Sequence, residues 1–508
     1  MTRSASRRAS VVAALGILLG PLGSAAASES REPSSNYDRD FSRTVPYKGP
    51  GQRLEIDHSQ GTLRIGTHAL PEVRIHAKIT VSTSNVDGAQ EFGNSIEISV
   101  EDTGSAIVVR TKYPERQWHF SGKGHISYAV DMDVTMPETM ELTARNKFGD
   151  LGVVGVKAPA VLVNANGQLS LTQGSGRQRL ENAFGSITVD HNAGDVDISG
   201  SNGSVMATSV DGALSIRNRF GTVQARRTKG AVTVNASNGD VLVESAGGAA
   251  SVTSSFGRVD VRGAGGAVEV RNSNGAVRVG EVKGSVDLRS SFGEVEASGV
   301  PGDATVAVDN GAATLSGVGG RVDVRNSFGK ITVTQARKGV TAVGSNSAVS
   351  LADVTGAASV RTTFGLVEAT RVDGDLTVDD SNGAVRGSAV QGAAKVTTSF
   401  APVELDGVAG RVDVDNQNGS VDVRGLAGGA KCSPVTLKSS FGPIHIWLPE
   451  DAAYTVNAHT SFGKISTQLP LMTSGSPSSD TLTGRLGDGR CPLTLENSNG
   501  NVEIRKGR

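Results

Sequence analysis

An 18-residue repeat runs through most of this 508-residue chain. One position of the repeat, which we call the slot, alternates between phenylalanine and asparagine. The slot residues, in chain order, are Phe148, Asn166, Phe184, Asn202, Phe220, Asn238, Phe256, Asn274, Phe292, Asn310, Phe328, Asn346, Phe364, Asn382, Phe400 and Asn418. Glycine follows every slot residue except where Ser347 and Ala401 replace it. A fixed short period is typical of a solenoid, in which each repeat buries its apolar face by stacking on its neighbours.

Each repeat contains two short runs in which apolar and polar residues alternate, such as Val259/Val261 and Val268/Val270. A two-residue period indicates a strand with one buried face, and no segment keeps a helical period. We therefore predict an all-β fold, a parallel β-helix or β-solenoid with 18-residue coils of two strands each. At about 4.8 Å per layer, the array would be roughly 70 Å long. A 36-residue coil, with phenylalanine stacked directly on phenylalanine, remains the alternative.

Outward positions of this predicted stack carry charges of alternating sign. Asp260, Arg278 and Glu296 would lie directly above one another, which is a favourable cross-strand arrangement. Glycine is abundant, with 65 residues, whereas aromatic residues make up only 4%, so the core should be thin. The net charge of −1 gives no indication of nucleic acid or an anionic membrane surface as partner.

The first residues have the pattern of an export signal. Residues 1–27 combine a basic start, an apolar run over 11–19 and three alanines before Ser28, which predicts a secretory signal peptide. No later stretch approaches the ~20 apolar residues of a membrane span. We expect an exported mature chain with no transmembrane segment, located in the periplasm, on the cell surface or in the medium. Residues 28–48 are polar and are predicted to be a disordered lead-in.

The remaining chain divides into three regions by the regularity of its spacing. Residues 49–145 alternate without a fixed period and are predicted to be an irregular β region that caps the solenoid, with Trp118, Phe120 and Tyr128 supplying bulk. Residues 146–430 form the regular array. Residues 431–508 are predicted to be irregular coils containing an exposed loop over 469–490, rich in Ser, Gly and Pro.

Two short segments before strand repeats carry a family resemblance: Asp-Val-Thr-Met-Pro at 133–137 and Ile-Trp-Leu-Pro at 446–449. Together with the recurring Asn-Gly and Ser-Phe-Gly turns and the export signal, they resemble the bacterial putative-adhesin family. That family comprises β-strand-repeat proteins of the cell envelope related to head domains of auto-transporter adhesins. The resemblance covers about residues 50–508. It implies a β-solenoid at the envelope and brings no catalytic residues with it.

The two cysteines, Cys432 and Cys491, each precede a strand of the C-terminal region. A disulfide closing this end is one hypothesis for an oxidising compartment, and two unpaired thiols are the other. If layers follow chain order, Phe462 marks a layer between the cysteines. They would then be about 9.6 Å apart, which is too far to bridge without a shift of the backbone.

The slot residues have a structural and a functional interpretation. We expect the phenylalanines to fill the corner between the two sheets, and the asparagines to bond turn backbone. An exposed aromatic stripe that grips sugar rings or a partner strand is the functional alternative for the phenylalanines.

Paired carboxylates raise the possibility of a carbohydrate-active β-helix enzyme, a polysaccharide lyase or hydrolase. Asp379 with Asp380, and Asp413 with Asp415, are the closest clusters, and such pairs serve acid/base chemistry or bind Ca²⁺. The strict spacing from 148 to 418 leaves no room for loops that would shape a groove, and alternating charges also arise from surface solvation alone. The eight histidines lack metal-ligand spacing. We therefore predict no catalytic, metal or cofactor site.

The sequence favours a non-enzymatic scaffold for adhesion or interaction at the cell envelope. Flat, rigid faces that repeat polar side chains suit multivalent contacts that are individually weak. An envelope protein or a glycan would be the partner. The carbohydrate-active enzyme is the second hypothesis.

Overall fold

The computed structural model describes residues 35–83, 86–114, 126–473 and 478–507. The predicted signal peptide, residues 1–27, lies outside these residues, as do Trp118 and Phe120. Two long sheets face each other across one aliphatic core and together form a parallel β-solenoid.

The regular array consists of strands that alternate between the two sheets. Odd-numbered strands belong to sheet 1 and even-numbered strands to sheet 2. They are β8 (Leu142–Phe148), β9 (Leu151–Val154), β10 (Ala160–Asn166), β11 (Leu169–Ser175), β12 (Gln178–Phe184), β13 (Ile187–Ala193), β14 (Val196–Asn202), β15 (Val205–Val210), β16 (Leu214–Phe220), β17 (Val223–Thr228), β18 (Val232–Asn238), β19 (Val241–Ala246), β20 (Ala250–Phe256), β21 (Val259–Arg262), β22 (Val268–Asn274), β23 (Val277–Gly280), β24 (Val286–Phe292), β25 (Val295–Val300), β26 (Ala304–Asn310), β27 (Ala313–Val318), β28 (Val322–Phe328), β29 (Ile331–Ala336), β30 (Val340–Asn346), β31 (Val349–Val354), β32 (Ala358–Thr362), β33 (Val367–Val372), β34 (Leu376–Asp380), β35 (Val385–Val390), β36 (Ala394–Thr398), β37 (Val403–Val408), β38 (Val412–Asn416) and β39 (Val421–Arg424).

Each array strand pairs in parallel with the strand one coil away. Val259 lies opposite Val277, and Phe184 lies opposite Asn202, so the register shift is 18 residues. The predicted 18-residue, two-strand coil is confirmed. The alternative 36-residue coil is wrong, because phenylalanine stacks on asparagine rather than on phenylalanine.

Inward side chains form continuous aliphatic columns, as the valines of β21 and β23 illustrate with exposures of 0–2%. Outward side chains form the predicted charge columns. Asp260 lies opposite Arg278, and Arg278 lies opposite Glu296 with 3.3 Å between Nε and a carboxylate oxygen. Exposed pairs of this kind contribute about 0–1 kcal/mol each, so burial of the thin core is the main source of stability.

The N-terminal region adds layers below β8 and β9. Its elements are β1 (Ser35–Pro46), β2 (Arg53–Asp57), β3 (Leu63–His68), β4 (Glu72–Thr83), α1 (Val86–Ser95), β5 (Glu97–Asp102), β6 (Ala106–Lys112) and β7 (Ser127–Pro137). The coil of β2 and β3 lies between the β8/β9 layer and a layer formed by β6 and β7. Antiparallel strands then finish both sheets, β5 on β6 and β4 with β1 on β7. An antiparallel finish closes the end of a parallel stack.

Part of the predicted disordered lead-in, 28–48, is a strand. Residues 35–46 form β1, which pairs antiparallel with β4 along its whole length. The polar composition of this segment suggested disorder. An edge strand buries little apolar surface, however, and pairing with β4 supplies its backbone hydrogen bonds. Nearby, Tyr128, one of the three predicted cap aromatics, packs against the rings of Phe92 and Tyr113 at centroid distances of 4.9 and 5.4 Å.

The C-terminal layers do not follow chain order. The elements are a short 3₁₀ helix (Gly429–Lys431), β40 (Val435–Ser439), β41 (Ile444–Leu448), β42 (Tyr454–Thr460), β43 (Ile465–Thr467), β44 (Met472–Thr473), β45 (Thr481–Arg485), β46 (Cys491–Asn497) and β47 (Val502–Lys506). The last coil, β46 with β47, is inserted between the β40/β41 layer and the β42/β43 layer. The C-terminal coil is therefore held from both sides.

The predicted exposed loop, 469–490, contains two strands. β45 pairs antiparallel with β42, and β44 pairs with β45, so this segment finishes sheet 2 at the C-terminal end. The sequence suggested a loop because the segment is rich in Ser, Gly and Pro. The open edge of β42 nevertheless provides hydrogen-bond partners that such a composition can use.

Candidate functional site

Ten phenylalanines project from one corner of the solenoid, between the end of each sheet 2 strand and the start of the next sheet 1 strand. Their fractional exposures range from 46% to 83%, although large apolar side chains are usually buried. We call this row the Phe edge: Phe148, Phe184, Phe220, Phe256, Phe292, Phe328, Phe364, Phe400, Phe441 and Phe462. The expectation that phenylalanine fills the corner is wrong.

The corner is occupied instead by buried, mostly polar side chains at the position two residues before each slot residue. We call this row the corner ladder. Asn182, two residues before Phe184, is buried and donates Nδ2–H bonds to the carbonyls of Gly167 at 2.9 Å and Gly185 at 3.0 Å. Alternation predicts Phe184 on the same side as Asn182, but residue 183 is missing from the pairing register, and Phe184 is exposed whereas Asn182 is buried. The corner is also tight, since a Cβ on Gly185 would lie 2.1 Å from the Gly167 oxygen. A ring cannot enter it.

The slot asparagines bond backbone of the preceding layer, as expected. Nδ2 of Asn166 donates to the Lys147 carbonyl at 3.1 Å, and Nδ2 of Asn418 donates to the Ser399 carbonyl at 2.9 Å. Each bond satisfies the carbonyl just before a slot phenylalanine. The asparagines therefore hold the Phe layers in place and leave space between neighbouring rings.

The alternation of Phe and Asn follows chain order as far as Asn418, but beyond it the alternation holds only in the assembled edge. Along the chain, the last slot residues are Phe441, Phe462 and Asn499, which breaks the alternation. In space, the amide of Asn499 binds the Ser440 carbonyl, and the amide of Phe462 binds the Ser498 carbonyl. The order is therefore Phe441, Asn499, Phe462. Insertion of the last coil restores the alternation.

An amide side chain also precedes the first phenylalanine in space. Gln60 forms a parallel bridge with Phe148, and Asn146 donates to the carbonyl of Gly61 at 3.2 Å. Rings separated by amide side chains thus extend from the β2/β3 layer to the β42/β43 layer. Successive rings are two layers, or about 9.5 Å, apart.

The carboxylates considered for catalysis do not form an acid/base pair. Asp379 is exposed and lies 3.2 Å from Arg361 Nε, and Asp413 lies 3.4 Å from a guanidinium nitrogen of Arg411. Asp415 is opposite Lys438 in the register. Each carboxylate thus has a cation beside it in an outward charge column, as surface solvation predicts.

Asp380 differs, because it takes the place of an asparagine in the buried corner ladder. It is 3% exposed, and its Oδ2 has no hydrogen-bond partner among the described residues. Burial raises the pKa of the Asp380 carboxyl, and the negative charge of Asp379 adds to this effect. Asp380 is therefore a buried residue of a tight turn, where a negative charge is unfavourable, rather than a catalytic group in a cleft.

Asp380→Asn is therefore expected to stabilise the fold by about 1–2 kcal/mol at neutral pH, because a neutral amide can donate to turn carbonyls as Asn182 does. A raised folded pKa means that ionisation opposes folding. The gain should accordingly shrink as the pH falls through the folded pKa and vanish below the usual aspartate value of about 4. Denaturant unfolding and amide exchange between pH 3 and 8 measure it. Asp379→Asn, on the exposed side, should change stability by less than about 0.5 kcal/mol. Equal effects of the two variants would contradict this account.

A shallow groove follows the opposite corner and is lined by Pro301, Gly319, Arg337 and Asp353, among others. Asp353 is the carboxylate of this lining, and Nη2 of Arg371 donates to it at 2.9 Å. This hydrogen bond lowers the pKa of Asp353. A carboxylate held ionised cannot serve as the general acid that glycoside hydrolysis requires.

Cys432 and Cys491 are adjacent, with Cα atoms 6.0 Å apart, and the structure joins their sulfurs. The expectation of one intervening layer, that of Phe462, is wrong, because β46 pairs directly with β40 and the Phe462 layer lies beyond it. Pairing of these cysteines in the protein as isolated remains a prediction.

Two searches of the described residues concern other kinds of site. Among residues 35–83, 86–114, 126–473 and 478–507, no three His, Cys, Asp or Glu side chains come together as a metal site requires. In the same part of the chain, no helix has the length and apolar character needed to cross a membrane.

Part of this chain matches a known protein family. Residues 321–505 match the family model Toastrack DUF4097. The resemblance to putative adhesins is confirmed. The matched residues include the inserted C-terminal coil and the Phe edge from Phe328 to Phe462.

Two solved structures are similar to this chain. One is a putative cell adhesion protein from Clostridium sporogenes ATCC 15579, with 7% identity, 92% of this chain and 100% of that chain covered, and a TM-score of 0.14. The other is a putative adhesin from Parabacteroides distasonis ATCC 8503, with 10% identity, coverages of 65% and 97%, and a TM-score of 0.15. At these values neither structure indicates what this chain binds. A search of curated proteins finds no match.

Proposed function

We propose that this chain is an exported, non-enzymatic β-solenoid that acts as an adhesion or interaction scaffold at the cell envelope. The observation that carries the proposal is the Phe edge. Ten rings, each about half exposed or more, on a rigid parallel stack are costly to leave in water, and among the described residues no catalytic constellation lies beside them. The edge repeats one weak contact many times, which suits multivalent attachment.

An upper limit can be placed on the binding free energy that each ring contributes. A phenylalanine has about 200 Å² of surface, of which about half is exposed here, so covering one ring yields at most about 2.5 kcal/mol. One such contact is too weak for stable attachment once the cost of association is subtracted. Several contacts on one rod would be sufficient. The partner would be an envelope protein or a glycan.

The test is retention of the mature chain on envelope fractions and on a panel of polysaccharides. Replacing one, two and then four phenylalanines of the edge by asparagine, the residue that alternate slots already carry, should reduce retention progressively. Val154→Asn/Met206→Asn, at exposed apolar positions on β9 and β15 outside the slot, is the matched control and should retain full binding. Retention that is indifferent to the Phe edge would refute this role.

The same samples test the enzyme alternative. No reducing sugar should be released from any polysaccharide of the panel. Turnover that is lost in Asp413→Asn/Asp415→Asn would instead favour the carbohydrate-active alternative. Sequencing the N-terminus of the exported chain, expected at Ser28, tests the signal peptide.

A further inference from the structure

We propose that the Phe edge pairs with the Phe edge of a second copy of this chain, with the two rods side by side and antiparallel. This pairing goes beyond the proposed adhesion role and competes with it, because both would use the same rings. It would produce a dimer in which the edges cover each other.

The area of the edge is that of a stable interface. Ten phenylalanines of about 200 Å² each, about half exposed, offer roughly 1,000 Å² of apolar surface per copy. Stable complexes bury about 800 Å² per partner, whereas the largest apolar patch on a typical monomer is about 300–600 Å². The summed exposed area of the rings, although interrupted by the asparagine slots, therefore reaches what a dimer needs when the whole edge is covered.

The spacing of the rings favours a second copy of this chain as the partner. Rings recur every second layer, at about 9.5 Å, from Phe148 to Phe462. A ligand with any other period would lose register after a few rings. A second copy has the same period by construction and remains in register along the whole edge.

The alternation of phenylalanine and asparagine along the edge favours an antiparallel orientation of the two rods. In a parallel pair related by a twofold axis along the rods, each layer faces its own copy, so rings meet rings and asparagines meet asparagines. In an antiparallel pair, a shift of one layer places each ring opposite an asparagine slot, where there is space between neighbouring rings. This isologous packing requires strict alternation in space. The inserted C-terminal coil supplies it by placing Asn499 between Phe441 and Phe462.

Sedimentation and light scattering of the mature chain test the pairing. The wild type should be a dimer with a dissociation constant in the micromolar range or tighter. A variant with asparagine at Phe256, Phe292, Phe328 and Phe364 should dissociate at least about 100-fold more readily, with an unchanged β circular dichroism spectrum. The control Val154→Asn/Met206→Asn should remain dimeric. If the fourfold variant misfolds, the single variant Phe292→Asp replaces it, with an expected weakening of at least about 10-fold.

Orientation is tested with nitroxide labels on cysteines that replace slot asparagines. Asn310 is midway along the edge, so labels there should be close together in the dimer. Labels at Asn166, near one end, should be roughly 70–80 Å apart in an antiparallel pair and close together in a parallel one. A short Asn166 distance would overturn the antiparallel arrangement.

Three other results would overturn the pairing itself. These are a wild-type monomer at concentrations on the order of 100 µM, a dimer that persists in the fourfold variant, and a monomer that binds glycans through the same rings. The last result would leave the adhesion role intact. Conversely, a Phe-dependent dimer that binds no envelope fraction would refute the adhesion role and support the pairing.

Discussion

Gly275→Ala is expected to destabilise the middle of the solenoid by about 3 kcal/mol or more. Gly275 has φ +127°, a region that L-residues with a side chain rarely adopt, and an added Cβ would lie 2.2 Å from the Gly257 oxygen. The obstacle is backbone of the layer below, so relief requires the two layers to separate. Because each layer contacts only its neighbours, the damage should concentrate in the adjoining coils.

Amide exchange resolved by peptide is the appropriate measurement, since a long repeat array need not unfold in one step. Gly280→Ala is the matched control within the same coil, because Gly280 lacks a positive φ and its Cβ would be 3.3 Å from the Ser298 hydroxyl. The control should be close to neutral. Similar exchange in the two variants would show that the turn does not need glycine.

One coil of this chain has serine in place of the turn glycine and shows how a side chain can be accommodated there. Ser347 replaces the turn glycine, and it is buried with its hydroxyl donating to the Asn326 carbonyl at 3.0 Å. The ladder residue of the same coil is Gly344, where an added Cβ would be 2.7 Å from the Ser347 Cβ. Asn272→Gly/Gly275→Ser copies this pair. It should be less destabilised than the sum of its single variants.

Cys432→Ala/Cys491→Ala is expected to cost the C-terminal layers about 4 kcal/mol. The bridge spans a sequence separation of 59 residues, and a loop of this length supplies about that stabilisation by restricting the unfolded chain. It also ties the inserted coil of β46 and β47 to the segment that precedes β40. Removing the bridge should let the inserted coil open.

Intact mass with and without reductant establishes whether the bridge is present in the exported protein. Amide exchange should then rise in β46, β47, β42 and β43 of the variant, while layers around β22 keep their protection. Reduced wild type should reproduce the variant. Unchanged exchange at the C-terminal end would mean that packing of Leu493, Leu495 and Ile504, all nearly fully buried, is sufficient by itself.

Several features were predictable because a solenoid is built from local rules. Val259 and Val261 point inward by simple alternation, and the 18-residue spacing sets which residue lies above which. The column of Asp260, Arg278 and Glu296 followed without any tertiary information. The asparagines at the slot followed from turn chemistry.

The position of the Phe rings was not predictable from alternation. Phe184 has the parity of an inward residue, but the pairing register skips residue 183 and the corner is already occupied by Asn182. A sequence pattern describes a straight strand. Only the closed coil shows how little room its corner has.

The sequence by itself determined the 18-residue repeat and the thin aliphatic interior, because those depend on contacts between adjacent repeats. The coil length and the alternation of ring and amide at the C-terminal end were decided by the assembled structure. The tertiary structure alone decided the order of the layers at both ends. There, β2 with β3 and β46 with β47 lie one layer inside the ends, and antiparallel strands finish both sheets at the N-terminal end and sheet 2 at the C-terminal end. The physical reason is that exposed edges of a parallel stack have unpaired backbone groups, and any segment that can pair with them satisfies the same need. Which segment does so depends on the whole assembled end, and no single repeat encodes it.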